Sequence, residues 1–76
     1  MDELQKVTKI LSQQINLEEF LIKPQTKFDD LGMDSLVVLE FIIAVEEEFD
    51  IAIDDSEISR LNNVGEVAEL VAAKLK

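Results

Sequence analysis

Residues 28–49 read FDDLGMDSLVVLEFIIAVEEEF, a short polar turn followed by a long apolar segment that only acidic residues interrupt. Gly32 can adopt the left-handed backbone conformation of a tight turn, and Asp34 is a favoured residue for the N-cap of a helix. We therefore predict a helix that begins after Asp34 as its N-cap and continues to about residue 49. Its length and apolar content make it the central helix of a small helical core.

This central helix has two apolar faces when its residues are placed 100° apart. The face expected to meet the core comprises Val38, Phe41, Ile42, Val45 and Phe49. The opposite face mixes apolar and acidic side chains and comprises Leu36, Leu39, Glu40, Ile43 and Glu47, with Val37 and Ala44 at its flank. A helix in a small bundle normally buries one face. Either the preceding loop covers the second face, or a partner protein docks on it.

A first helix is predicted over residues 2–14, because Leu4, Val7, Leu11 and Ile15 recur at helical spacing. A long connection follows over residues 16–33, and an ordered loop of this length in so small a domain is more often functional than not. The apolar side chains of this connection are expected to pin it onto the core, and they are Phe20, Leu21, Ile22, Phe28 and Leu31.

Two further helices are predicted after the central one. A short helix is expected over residues 56–60, and its cap is one of two aspartates, Asp54 or Asp55. Asn63 and Glu66 form the capping-box pattern of a last helix over residues 64–75. The predicted fold class is therefore all-α, a small four-helix bundle with three main helices, a short third helix and a long first loop.

Composition excludes several classes of function. The chain of 76 residues has no Cys and no His, which removes disulfides, thiolate and imidazole metal sites, and thiol or His-based catalysis. It is long enough for one domain, residues 1–76, but leaves little chain for the walls of a catalytic pocket, so we expect no enzyme.

The N-terminus does not resemble a signal peptide, and no apolar run is long enough to cross a membrane. We expect a cytoplasmic protein without membrane insertion.

The net charge of −10 belongs to one part of the chain. From Phe28 to Ser59 there are eleven acidic residues and no basic one, whereas the rest of the chain has six acidic and seven basic residues. An acidic surface is unsuited to nucleic acid. Acidic residues around an apolar helix face instead favour protein partners with basic patches, because complementary fields steer encounter.

Ser35 follows the N-cap of the central helix, where unpaired N–H groups and the positive end of the helix dipole favour a phosphate ester. The stretch Phe28-Asp29-Asp30-Leu31-Gly32-Met33-Asp34-Ser35-Leu36 resembles the prosthetic-group attachment motif of acyl carrier proteins. The resemblance covers essentially the whole chain, including the VEEEF segment at residues 45–49, Ile51, Ile53 and the Asn63-Val64 helix start.

The resemblance implies a carrier without catalysis of its own. Ser35 would receive 4′-phosphopantetheine from coenzyme A through a separate phosphopantetheinyl transferase, and the thiol of that arm would carry acyl groups as thioesters. Asp34 would cap the helix and help the transferase to recognise the site, while Leu36 would pack against partners beside the arm. The partners would be that transferase and acyl-transfer or condensing enzymes with basic docking patches. They would dock on the outer face, on Leu36, Val37, Leu39, Glu40, Ile43 and Glu47.

The resemblance also implies an acyl pocket on the core side of the central helix. Its expected lining residues are Phe28, Val38, Ile42, Val45, Ile58, Leu61 and Val67. Simple core packing is the alternative role for each of them. The expected protein is a freestanding, monomeric acyl carrier in fatty-acid biosynthesis or in a specialised lipid or polyketide pathway.

Two alternatives leave Ser35 unmodified. One is an acidic helical adaptor whose outer helix face docks on a partner. The other is a divalent-cation-binding protein that would use one of two acidic clusters, around Asp29 to Asp34 and around Glu46 to Asp55. Neither cluster matches the twelve-residue calcium loop with its central Gly and closing Glu, so we predict no specific metal site.

Overall fold

The computed structural model describes residues 2–76, which form four α-helices. The helices are α1 (Glu3–Ile15), α2 (Ser35–Phe49), α3 (Asp55–Ile58) and α4 (Val64–Leu75). The connection between α1 and α2 contains two short 3₁₀ turns, Glu19–Leu21 and Asp29–Leu31. The predicted all-α fold of three main helices, a short third helix and a long first loop is therefore confirmed.

Side-chain caps define the starts of the helices. The Asp34 carboxylate accepts a hydrogen bond from the Val37 N–H at 2.9 Å, so α2 begins at Ser35 as predicted. Asn63 and Glu66 form the predicted capping box of α4, and the bounds of α4 agree with the prediction. Asp2 accepts from the Gln5 N–H at 2.8 Å and is therefore the N-cap of α1 rather than its first residue.

The third helix is shorter than predicted and begins one residue earlier. Asp54 and Glu57 form a capping box, which fixes the first helical residue at Asp55. After Ile58 the Arg60 N–H donates to the Glu57 carbonyl and the Leu61 N–H to the Ile58 carbonyl, both at 3.1 Å. These bonds span three residues rather than four, so residues 59–60 form a turn instead of continuing the α-helix.

The core is built from all three main helices and from the loops. Its fully buried side chains include Leu11 of α1, Phe41 of α2 and Val67 of α4. The long connection contributes Ile22, Phe28 and Met33, and the Phe28 ring meets the Phe41 ring edge to face at 5.9 Å between centroids. Leu31 packs against this core while remaining partly exposed.

Two apolar residues of the long connection do not pack as predicted. Phe20 and Leu21 are 69% and 51% exposed. Both lie in the first 3₁₀ turn, where the Leu21 N–H donates to the Glu18 carbonyl and the Ile22 N–H donates to the Glu19 carbonyl. This turn directs Ile22 into the core and leaves the two residues before it at the surface.

The long connection is tied to the start of α4 by backbone hydrogen bonds. The Phe28 N–H donates to the Asn62 carbonyl at 3.0 Å, and the Gly65 N–H donates to the Pro24 carbonyl at 2.8 Å. A Cβ at position 65 would lie 3.0 Å from the Pro24 carbonyl oxygen, so any larger residue would push this contact apart by a few tenths of an ångström. The pairing holds the loop that leads into α2 beside the first turn of α4.

Candidate functional site

Ser35 is the first residue of α2 and is exposed to solvent. Gly32 turns the chain just before it with a φ of 70°, the left-handed conformation predicted from the sequence. Asp34 is extended and uses its carboxylate to cap the Val37 N–H. The turn and the cap together leave the Ser35 hydroxyl at the tip of the helix, where it makes no hydrogen bond with residues 2–76.

The surroundings of Ser35 fit a phosphate ester. The Ser35 and Leu36 N–H groups have no acceptor among residues 2–76, because the residues one turn earlier lie outside the helix. Such free N–H groups, together with the positive end of the helix dipole, stabilise negative charge at a helix start. The phosphate of 4′-phosphopantetheine is therefore compatible with this position.

A cleft of about 670 Å³ opens beside Ser35. It lies between the end of the long connection, the first turns of α2 and α4, and the segment after α3. Its apolar lining residues are Phe28, Met33, Val38, Ile58 and Leu61. Polar side chains complete the lining, and they are Lys27, Asp29, Asp34, Ser35, Ser59, Asn62, Asn63 and Glu66.

The cleft brings together only part of the acyl pocket expected from the sequence. Phe28, Val38, Ile58 and Leu61 line it. Ile42, Val45 and Val67 do not line the cleft, because each is fully buried in the core behind it.

Most of the polar lining was not predicted from the sequence, and only Asp34 and Ser35 were among the predicted site residues. Lys27 pairs with Asn63 in an isolated antiparallel bridge, and that bridge brings both residues to the cleft. No local sequence pattern predicts a backbone bridge between residues so far apart in the sequence. Met33, which is buried and lines the cleft, was also missed.

The outer face of α2 is exposed, so the long connection does not cover it. Leu36, Ile43 and Leu39 are 63%, 46% and 39% exposed. The acidic residues Glu40 and Glu47 are exposed beside them, and Val37 at the flank is half-buried. On the opposite side Phe41, Ile42 and Val45 are fully buried, whereas Val38 and Phe49 are half-buried.

Basic residues neutralise little of the acidic segment. Within residues 2–76 the one ion pair joins Lys74 of α4 to Glu57 of α3 at 3.1 Å. The pKa of Asp54 lies below its ordinary value, chiefly because the Ser56 hydroxyl and the Glu57 N–H donate to its carboxylate. In the described part of the chain, no three acidic side chains come together as a group that could hold a metal ion.

None of the helices in residues 2–76 is long and apolar enough to cross a membrane.

Comparison with known proteins agrees with this site. Residues 5–71 match the family described as the phosphopantetheine attachment site. The chain is 41% identical over 70 residues to the acyl carrier protein of Clostridium acetobutylicum, and the match covers 91% of each chain. The chain is also similar to a solved structure of the acyl carrier protein from Enterococcus faecalis, with a TM-score of 0.81 and 32% sequence identity. The match covers 97% of this chain and 99% of the Enterococcus faecalis chain.

Acyl carrier proteins are carriers rather than enzymes, and their prosthetic group is covalently attached 4′-phosphopantetheine. The family match spans most of the described residues, and both relatives share more than 30% of their residues with the chain over nearly its full length. The chain therefore belongs to the acyl carrier protein family.

Proposed function

We propose that Ser35 is the residue that carries 4′-phosphopantetheine. The supporting observation is the hydrogen bonding of the four serine hydroxyls of the chain. Ser12 donates to the Leu17 carbonyl, Ser56 to the Asp54 carboxylate and Ser59 to the Ser56 carbonyl. Only the Ser35 hydroxyl makes no hydrogen bond with residues 2–76, and only Ser35 begins a long helix beside a cleft.

The modification needs a separate enzyme. The Ser35 Oγ forms a bond to the phosphorus that carries the pantetheine arm, the diphosphate of coenzyme A breaks, and adenosine 3′,5′-bisphosphate leaves. A base must take the hydroxyl proton, and this chain has no His to do so. The Asp34 carboxylate beside Ser35 already accepts the Val37 N–H, so we assign the base to the phosphopantetheinyl transferase, the proposed first partner of the chain.

The outer face of α2 is the proposed docking surface for the transferase and for acyl-transfer or condensing enzymes. Its exposed apolar residues Leu36, Leu39 and Ile43 supply contact area, and Glu40 and Glu47 supply negative charge. A partner with a basic patch around an apolar groove complements this surface.

The proposed role is the transport of acyl intermediates as thioesters in fatty-acid biosynthesis or in a specialised lipid or polyketide pathway. The cytoplasmic location, the monomeric state and the absence of nucleic-acid binding and membrane insertion stay predictions from the sequence.

Intact-mass measurement tests the attachment residue. The purified chain is incubated with coenzyme A and a broad-specificity phosphopantetheinyl transferase. The wild type is expected to gain the mass of one phosphopantetheine group, and Ser35→Ala is expected to gain none while keeping its helical circular dichroism. Ser59→Ala is the matched control, because Ser59 also lines the cleft, and it should gain the group. A modified Ser35→Ala chain would refute the assignment.

A further inference from the structure

The phosphate of the prosthetic group adds negative charge to surroundings that are already acidic. Once joined to Ser35 it is a phosphate diester, which keeps one negative charge at neutral pH. Asp34 directly precedes Ser35, and Asp29 and Glu66 line the cleft that opens beside it. These carboxylates repel a phosphate on Ser35, because like charges close together raise the energy of the folded state. A cation beside Ser35 would offset this repulsion.

Lys27 is the one basic residue that lines the cleft together with Ser35. Its ammonium group forms no ion pair with an acidic side chain of residues 2–76. From Phe28 to Ser59 the chain has no other base, and Arg60, the next base along the chain, does not line the cleft. Lys27 is therefore the basic side chain best placed to meet a phosphate on Ser35.

Backbone contacts on both sides hold Lys27 in place. Lys27 pairs with Asn63 in the antiparallel bridge, and the N–H of the next residue, Phe28, donates to the Asn62 carbonyl at 3.0 Å. The Lys27 carbonyl accepts the Asp30 N–H at 3.1 Å, at the start of the 3₁₀ turn that leads towards α2. Because the backbone of Lys27 is already fixed, an ion pair of its ammonium group costs only the ordering of one side chain.

We propose that Lys27 binds the phosphate of 4′-phosphopantetheine after its attachment to Ser35. The free N–H groups of Ser35 and Leu36 donate to the phosphate oxygens, and the Lys27 ammonium supplies the full positive charge that N–H groups lack. Lys27 takes no part in the covalent step. It is a positioning residue that offsets the repulsion from Asp34 and orders the first atoms of the arm. The proposal rests on Ser35 as the attachment residue.

Thermal unfolding of the modified and unmodified chains tests this contact. Each variant is modified with coenzyme A and the transferase, and its intact mass is measured before any other property. At about 0.01 M salt, where screening is weak, Lys27→Gln is expected to lower the melting temperature by about 2–5 °C more in the modified chain than in the unmodified one. This extra loss should disappear at about 1 M sodium chloride, where the Debye length is about 3 Å.

Phosphorus NMR observes the phosphate itself. A phosphate held by Lys27 moves less freely, so the phosphorus signal of the modified wild type should be broader than that of modified Lys27→Gln. Lys27→Arg keeps the positive charge and can bind phosphate through its guanidinium group. It should therefore retain both the wild-type melting temperature of the modified chain and the broad signal.

Lys23→Gln is the matched control. Lys23 is an exposed lysine of the same long connection, but it does not line the cleft. Lys23→Gln removes the same charge as Lys27→Gln. It should change the melting temperatures of the modified and unmodified chains equally and leave the phosphorus signal as it is in the wild type.

Two results would overturn the proposal while leaving Ser35 as the attachment residue. One is an equal loss of melting temperature for Lys27→Gln in the modified and unmodified chains, because Lys27 would then contribute to the fold alone. The other is a phosphorus signal that is the same in modified Lys27→Gln and in the modified wild type. A wild-type chain that gains no mass from coenzyme A would instead refute the proposed function, and this inference with it.

Discussion

Three aspartates hold the starts of helices in this protein, and each does so through its side chain. Asp2, Asp34 and Asp54 each accept a hydrogen bond from the N–H three residues later. This arrangement satisfies one of the unpaired N–H groups at each helix start. At α2 it has a consequence for function, because the cap is made by the residue before Ser35 and leaves the serine hydroxyl free.

Asp54 gives a prediction about pH. Its pKa is lowered in the folded state by the Ser56 hydroxyl and the Glu57 N–H, so the ionised cap stabilises the fold. This contribution is complete above the ordinary aspartate pKa of about 3.9 and is lost as the pH falls through the lower folded value. Asp54→Ala should therefore melt below the wild type at neutral pH, and the difference should shrink below about pH 3.9.

Asp54→Asn is the control for this pH dependence, because an amide oxygen can cap the helix without titrating. The difference between Asp54→Asn and Asp54→Ala should stay constant with pH. A gap between wild type and Asp54→Ala that does not change from neutral pH to pH 3 would contradict the role given to the ionised cap.

At the scale of whole elements, α2 presents one face to the core and the other to solvent. Val45 is fully buried, whereas Ile43, two residues earlier, is 46% exposed. Ile43→Glu should change the free energy of unfolding by no more than about 0.5 kcal/mol, as surface substitutions usually do. Val45→Glu should unfold the domain, because burying an unpaired carboxylate costs several kcal/mol. Circular dichroism with urea titration measures both effects.

The same Ile43→Glu variant tests the docking surface. It should lower kcat/KM for phosphopantetheine transfer by about tenfold or more, the loss typical of a central interface residue. Leu75→Glu serves as the control, since Leu75 is 49% exposed on α4, and it should leave that rate unchanged.

Equal losses of stability in Ile43→Glu and Val45→Glu would show that α2 does not have two distinct faces.

How well the elements could be predicted from sequence depended on whether their signals were local. The bounds of α4 follow from the capping box of Asn63 and Glu66, and the start of α2 follows from Asp34, because each cap acts within one turn. The prediction that Phe20 packs on the core was wrong, because its exposure depends on which residue at the 3₁₀ turn points towards the core. The contribution of Lys27 to the cleft could not be predicted, because it depends on a bridge to Asn63.

For the molecule as a whole, the charge distribution opposes the fold. In the folded chain the eleven acidic residues between Phe28 and Ser59 are confined to α2, α3 and the loops beside them, and the Lys74–Glu57 pair is the only ion pair that joins this segment to a base within residues 2–76. Unfolding separates these charges, so their repulsion destabilises the folded state.

Screening should therefore stabilise the protein. The Debye length falls from about 30 Å at 0.01 M salt to about 10 Å at 0.1 M salt, which is shorter than the span of the acidic segment. We expect the melting temperature at neutral pH to rise by several degrees when sodium chloride is raised over this range. A melting temperature that stays flat would show that the acidic residues are too dispersed to repel one another.

We propose that Ser35, and no other serine, carries the prosthetic group. Fragment masses of the protein loaded with phosphopantetheine, obtained after proteolysis, test it most directly, because they assign the added mass to one side chain. We expect the whole added mass on Ser35, whose hydroxyl has no hydrogen-bond partner within residues 2–76. Phosphopantetheine on Ser12, Ser56 or Ser59, whose hydroxyls already donate hydrogen bonds, would contradict it.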